Sequence, residues 1–463
     1  MSHPSTKNRR LFGATIAAAV LVLTAAGLTS PSWASAGHGR PAGASTHAKK
    51  APAAKHHGHR IISPEVIHTG KAPTGYEVTF RYDDPTATSV RLRGEWFLSS
   101  PAATTTTSSE GRLPTQWRPG DFPIANPNQG AAPNWPVVDM TQDKATGVWS
   151  YTTPLPSGTF TYGFYVDCTS AAPALSGCTE LSDPANPPWN TSGSVEPTSQ
   201  VYVPSDPRFG TLDLSWQSPR TRTHGRLLDV SYPDAQSTSP VGTHPLAVYL
   251  PPGYSQRRHA PYPVLVLSHG GGGNEVDWST QGAAGAILDN LIGSRKIAPM
   301  VVVMTNFNNL GTCTGQDVSC YDTDLRNYVL PYVQAHFNVS DDPAQRAFAG
   351  LSAGAARANY LLFHDTGLFG YYASWSIGNR NVPADSDPLW SNPALHQLLG
   401  LQVGGGLFDS ITVPSITAFE TSLTGHGVPF TTDMVLGGHE WYTWRQLLYN
   451  FLTTVAFKPA GTP

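Results

Sequence analysis

The stretch Gly350-Leu351-Ser352-Ala353-Gly354 constrains this 463-residue chain more than any other, because of what flanks it. Gln345-Arg346-Ala347-Phe348-Ala349 reads as a short buried strand, and Ala353 to Leu362 reads as a helix. A serine in the turn between them, with glycine two residues to either side, has the pattern of a nucleophile elbow. So tight a turn leaves no room for a side chain at either glycine, and it lifts the serine hydroxyl above the sheet edge. The rest of the C-terminal half must then supply a sheet and helices around that turn.

It has the pattern to do so. Pro245 to Leu250, Pro263 to Ser268 and Met300 to Met304 are apolar runs closed by turn residues, and helical segments are expected at Gly282–Ile297, Asp322–Phe337, Ala353–His364, Pro414–Leu423 and Trp441–Val455. Fully apolar strands interleaved with amphipathic helices predict a parallel-rich sheet covered on both faces, an α/β fold.

The preceding residues, 61–204, read differently. Tyr76 to Tyr82 alternates cleanly, as does Ser89 to Trp96, and Gly147 to Thr152 and Gly158 to Asp167 supply two more strands. Short alternating strands at this spacing predict an all-β, immunoglobulin-like sandwich, in which Trp96 and Trp149 are expected to be core residues. Residues 99–136 read as a long polar loop, and Gly210 to Gly242 as a crossing region with a strand-like Thr211 to Trp216. Residues 205–225 are assigned as a connecting segment and 226–458 as the α/β domain.

Residues 1–36 have the features of a signal peptide: Lys7, Arg9 and Arg10 precede an uncharged, Ala-rich stretch, and Ala34-Ser35-Ala36 offers a cleavage site. The alternative, a membrane anchor, suits a stretch so rich in Ala and Gly poorly. Residues 37–60, rich in Ala, Pro, Gly, Lys and His, read as a disordered linker, and His56, His57 and His59 as part of that solvated segment. A secreted, extracellular protein is expected. Four cysteines agree, with Cys168/Cys178 and Cys313/Cys320 the simplest local pairing of the three possible. No Cys-x-x-Cys spacing suggests a metal site. The net charge of -3 gives no reason to expect a nucleic-acid partner.

Acyl transfer through a serine needs a base, an acid to orient it, and amide donors for an oxyanion. The run Val264 to Ser268 leads into His269-Gly270-Gly271-Gly272-Gly273-Asn274, a turn whose bare backbone a substrate can approach. Phosphate cradling would require a Gly-Lys-Ser/Thr ending, which is missing. The Gly271 N–H is therefore expected to join that of Ala353 as an oxyanion donor. Val435-Leu436-Gly437-Gly438-His439-Glu440-Trp441 places His439 between a strand and the last helix, which makes it the expected base. His364, His396 and His426 read instead as parts of helices or turns. Asp409 follows an apolar strand and a triple glycine and is the expected acid, with capping of the next helix as the competing role. Asp385 and Asp387 lie in a loop with no such strand before them, and Glu440 should point away from its neighbour His439.

Taken together, His269 to Gly273 with Asp277-Trp278, Gly350 to Gly354, Leu368-Phe369-Gly370-Tyr371, and Gly437 to Trp441 with Trp444 resemble carbohydrate esterase family 1. That group includes feruloyl and acetyl xylan esterases, enterochelin-type esterases and mycolyltransferases. The resemblance covers roughly residues 226–457 and implies an α/β-hydrolase with Ser352 as nucleophile, Asp409 and His439 as its partners, and Gly271 and Ala353 as oxyanion donors. Ala355 departs from it, where the family usually carries a second glycine after the elbow. Residues 61–204 resemble the early-set sandwich modules attached to starch- and glycogen-active enzymes. The expectation is a serine esterase acting on acyl groups, feruloyl or acetyl, carried by carbohydrate, with no metal or organic cofactor. Its partner would be an ester substrate, such as a polysaccharide, with no stable membrane anchor. A mycolyl-type acyltransferase, a siderophore-ester hydrolase and a non-catalytic glycan-binding protein are the alternatives. The β module would do no chemistry, so a chain starting near Asp206 should still hydrolyse a small aryl ester.

Overall fold

The computed structural model describes residues 61–125, 135–190, 198–313 and 317–458. The expected signal peptide, the linker and its three histidines lie outside the described residues.

The C-terminal part is built on an eight-stranded sheet. Its strands are β1 (Arg226–Thr238), β2 (Val241–Leu250), β3 (Val264–Ser268), β4 (Val301–Thr305), β5 (Arg346–Leu351), β6 (Tyr371–Trp375), β7 (Gly400–Gly406) and β8 (Thr431–Val435). They lie side by side in the order β1-β2-β4-β3-β5-β6-β7-β8. The β1–β2 hairpin is antiparallel and β2 meets β4 antiparallel; from β4 to β8 every neighbour is parallel. Because both faces are covered, β3 through β6 are buried at every position, which is why they read as unbroken apolar runs.

Alternate residues feed two cores. Val264, Val266 and Phe348 face one side and pack under α4 (Ala353–His364) and α5 (Val413–Gly425). Leu265, Leu267, Ala347 and Ala349 face the other, under α1 (Ala284–Gly293) and α6 (Trp441–Asn450). On the first side, α2 (Ser319–Asp324) and α3 (Leu330–His336) are joined through one π-helical segment, Leu325–Val329, in place of the single helix expected there. This is an α/β-hydrolase architecture, and the C-terminal ends of its parallel strands gather the glycine loop, the elbow and the two later loops at one edge.

Residues N-terminal to this sheet form strand-rich layers, as expected of a β sandwich. A four-stranded and a five-stranded sheet enclose one core made of Val78, Phe80, Leu92, Trp96, Trp149, Phe160, Tyr162 and Phe164. Trp96 and Trp149 are both buried, which leaves neither ring available to a ligand. The strand expected to run to Trp96 stops at Gly94, because the chain folds back there and the Trp96 N–H bonds the Gly94 carbonyl. Disulfides join Cys168 to Cys178 and Cys313 to Cys320.

Three expectations need correction. Thr211 to Leu214 forms no strand; Leu214 is buried as an anchor and the chain turns at Ser215–Gln217. Arg226–Thr238, expected as part of a crossing region, is the edge strand of the main sheet, and its polar residues reflect the open edge. The supposed polar loop contains a hairpin, Leu98–Ser99 with Phe122–Pro123, that buries Phe122 and Ile124.

The β layers do not hang from the α/β part as a separable attachment. Arg445 on α6 is 1% exposed; its guanidinium donates to the Thr159 carbonyl at 2.8 Å and to the Gln281 carbonyl, and lies 3.8 Å from Glu95. Burial pulls this guanidinium down to about 10, and Glu95 opposes the shift. A chain starting near Asp206 would leave that charge without its Thr159 and Glu95 partners.

Asp324 gives a test of the core. It is fully buried, accepts the Tyr232 hydroxyl at 2.8 Å and 3.0 Å, and burial pushes its carboxyl up to about 8. The folded state therefore holds this proton more tightly than the unfolded state. Its contribution to stability should fall between the ordinary carboxylate range, about pH 4, and about 8. The Asp324→Asn protein should gain stability relative to wild type as pH rises across that window. Chemical denaturation at three pH values would show it, and a pH-independent difference would contradict it.

Candidate active site

The turn carrying Ser352 has the tightness its sequence demands. Ser352 sits at φ 50° and ψ −120°, outside the regions a serine prefers, and is fixed there by its N–H bonding the Trp375 carbonyl at 2.8 Å. A Cβ on Gly354 would fall 2.5 Å from the carbonyl oxygens of both Ser268 and His269, and one on Gly350 would strike the Gly354 backbone. Both glycines are thus required by close backbone approach, which presses the start of α4 against the end of β3. Ala355, where a second glycine was the family expectation, fits fully buried.

That approach sets Gly271 beside Ala353: a Cβ at Gly271 would lie 3.9 Å from that of Ala353. Neither the Gly271 nor the Ala353 N–H has a backbone partner among the described residues. The glycine loop is held from behind. His269 is fully buried, its ring stacks on Phe307 at 3.8 Å, and Nδ1 bonds the Gly270 carbonyl at 2.7 Å. Burial drives this imidazole down to about 3, so it is neutral and structural. The Asn308 amide donates to the Gly273 carbonyl at 2.7 Å. The sequence pointed to the loop but gave no signal for its supports Phe307 and Asn308, which lie after a different strand.

The other two residues meet Ser352 in a line. His439 Nε2 is 3.1 Å from Ser352 Oγ, and its Nδ1 is 2.8 Å from Asp409 Oδ2. The histidine side chain is 22% exposed and the aspartate 0%, so His439 reaches the surface and Asp409 is buried behind it. Asp409 does not cap the next helix, whose N-cap is Thr412; Oδ2 meets the imidazole, while Oδ1 accepts the Ile411 N–H at 3.0 Å and the Thr412 N–H at 3.2 Å in the turn before that helix. Burial alone would raise its carboxyl, but the bonds to His439, Thr412 and Ile411 outweigh that and hold it below the ordinary value. Trp444 meets the His439 ring edge-on at 5.1 Å and donates to Ser376 Oγ, which fixes the wall behind the imidazole.

The competing residues lie elsewhere. Asp387 caps a short turn through the Leu389 N–H, Asp385 faces His426 at 3.7 Å, and His364 and His396 bond backbone carbonyls. Glu440 points away from His439 into the interior, where it accepts the Gly438 N–H. No group of three or more His, Cys, Asp or Glu side chains among the described residues is placed to hold a metal ion.

Residues 237–398 match the family model described as "Putative esterase". That segment is similar to the esterase family. It contains the glycine loop and the elbow, while Asp409 and His439 lie beyond its end. An endo-1,4-beta-xylanase/feruloyl esterase of Xylanibacter ruminicola is 31% identical over 262 residues, which is 54% of this chain and 33% of that protein. The chain thus spans about a third of the length of that relative. Among solved structures, the feruloyl esterase module from Clostridium thermocellum is 21% identical, with a TM-score of 0.45 over 54% of this chain and 95% of that one. The enterobactin esterase of Shigella flexneri is 17% identical, with a TM-score of 0.49 over 84% of this chain and 95% of that one.

The geometry of the turn at Ser352 can be tested directly. Gly354→Ala should force β3 and α4 apart, cost about 1–3 kcal/mol of stability and depress turnover. Denaturant midpoints and kcat measured on the same preparation would check it, and an unchanged midpoint would mean the approach is looser than described.

Proposed function

We propose that this chain is a secreted serine carboxylic ester hydrolase, with Ser352 as nucleophile, His439 as general base and acid, and Asp409 as the residue that orients His439. The observation that carries the proposal is the hydrogen-bonded line from Ser352 Oγ through both nitrogens of His439 to Asp409. Ser352 Oγ attacks the ester carbonyl carbon as His439 Nε2 takes the hydroxyl proton. The buried carboxylate of Asp409 stabilises the imidazolium that forms. The carbonyl oxygen, now negative, lies against the N–H groups of Gly271 and Ala353, whose dipoles are fixed before the reaction begins. His439 then gives its proton to the departing alkoxide, leaving an acyl-Ser352 ester. Water repeats the sequence in reverse order and releases the acid.

The substrate class we assign is an acyl ester on carbohydrate, feruloyl or acetyl. Its support is the esterase family model and the 31% identity to a protein named as xylanase and feruloyl esterase. Secretion is supported by two disulfides, which persist in oxidising compartments. No helix among the described residues is long and apolar enough to cross a membrane.

Ser352→Ala should lower kcat by at least about a thousandfold while its thermal midpoint barely moves. Asp409→Asn should lose about 10⁴ in kcat by disturbing the tautomer and orientation of His439. A panel of acetyl, feruloyl and long-chain aryl esters, assayed with these variants, would test the reading. Substantial hydrolysis by Ser352→Ala would end it, and loss of activity in Asp385→Asn with retention in Asp409→Asn would require a different acid.

A further inference from the structure

The acid and base loops are stitched to one another and pressed from outside by a segment of the β layers. The Phe408 N–H bonds the Gly437 carbonyl at 2.9 Å and the Leu407 N–H bonds the Val435 carbonyl at 2.8 Å, so the loop carrying Asp409 and the loop carrying His439 are joined into one piece. Onto this piece packs Phe122. Its ring stacks on Phe408, the neighbour of Asp409, with centroids 5.5 Å apart and planes 19° apart, and it reaches Tyr442 on α6 at 6.4 Å. Ile124, Leu214 and Leu436 complete the same apolar cluster. Three residues beyond Phe122, the Ala125 N–H bonds the carboxyl of Glu440, which also accepts the Gly438 N–H; the two bonds flank His439.

We propose that the Phe122–Ala125 segment is a positioning element for catalysis, a clamp that the β layers place on the joined Asp409 and His439 loops to hold the imidazole in line with Ser352. The proposal rests on the Ser352–His439–Asp409 reading above. Its physical basis is that Phe122 adds a ring contact, and the Ala125 N–H a polar one, to two loops that backbone bonds join to each other. Phe408 follows a strand end and a run of glycines, and Gly437 and Gly438 leave the His439 turn without side-chain bulk. An aromatic contact on the residue next to Asp409 restrains the turn, and sub-ångström displacement of a catalytic pair is enough to slow the chemical step. None of the clamp residues needs to touch substrate.

The test uses the full chain. Phe122→Ala would leave a large cavity and could unfold the junction, so the informative variants are Phe122→Leu and Phe408→Leu, made singly and together. Kinetics on an aryl acetate, with thermal midpoints, would be measured for each. Each single variant should lower kcat about tenfold with KM within about twofold, and the double variant should be no worse than the poorer single one, since both remove the same contact. Wild-type kcat in a folded Phe122→Leu protein, or losses that simply multiply in the double variant, would overturn the clamp. Ser352→Ala in the same assay separates the two readings. If it is active, the serine mechanism fails; if it is inactive beside a fully active Phe122→Leu, only the clamp fails.

Discussion

Much of this molecule follows from one close approach, the start of α4 against the end of β3. Because Gly354 carries no side chain, the carbonyls of Ser268 and His269 sit where a Cβ would be, and the glycine loop is drawn up beside Ser352. The same tightness forces Ser352 to φ 50°, a cost the surrounding sheet sustains through the Trp375 carbonyl. A serine on an ordinary strand or helix end would have neither the exposure nor two amide groups beside it. The sheet order completes the arrangement, since β7 and β8 lie on the same side of β5 and deliver Asp409 and His439 from their C-terminal ends.

Around this centre the buried polar groups divide by task. His269 is neutral by burial and props the glycine loop; Asp409 stays charged despite burial because its hydrogen bonds exceed the desolvation cost. Glu440, raised to about 8 by burial, bonds amide groups and adds little negative charge beside His439. The environments of these groups, more than their types, set their roles. The β layers belong to the same structure, since Arg445 and Phe122 join them to α6 and to the acid loop.

The parts legible in the sequence were those with a local signature. The elbow, the glycine loop, the buried parallel strands and the last helix each combine apolar period with obligatory glycines, and the structure brings Ser352, Asp409 and His439 within hydrogen-bond reach as their order suggested. What the sequence hid depends on distant partners. Phe122 and Ile124 are isolated apolar residues in a polar stretch with no period, and their burial comes from residues near 408 and 442. The edge strand Arg226–Thr238 is polar because only one neighbour pairs with it, so it imitated a loop. Phe307 and Asn308, which support the glycine loop, follow a strand well removed in sequence from the loop itself.

The account stands or falls on whether Ser352 reacts at an oxyanion site formed by Gly271 and Ala353. A crystal structure of the full chain after reaction with a phosphonate ester, a mimic of the tetrahedral intermediate, examines both points at once. The account predicts phosphorus bonded to Ser352 Oγ, one phosphonyl oxygen within about 3 Å of the Gly271 and Ala353 nitrogens, and His439 Nε2 facing the leaving-group side. An adduct on another residue, or a phosphonyl oxygen turned away from both amides, would contradict it.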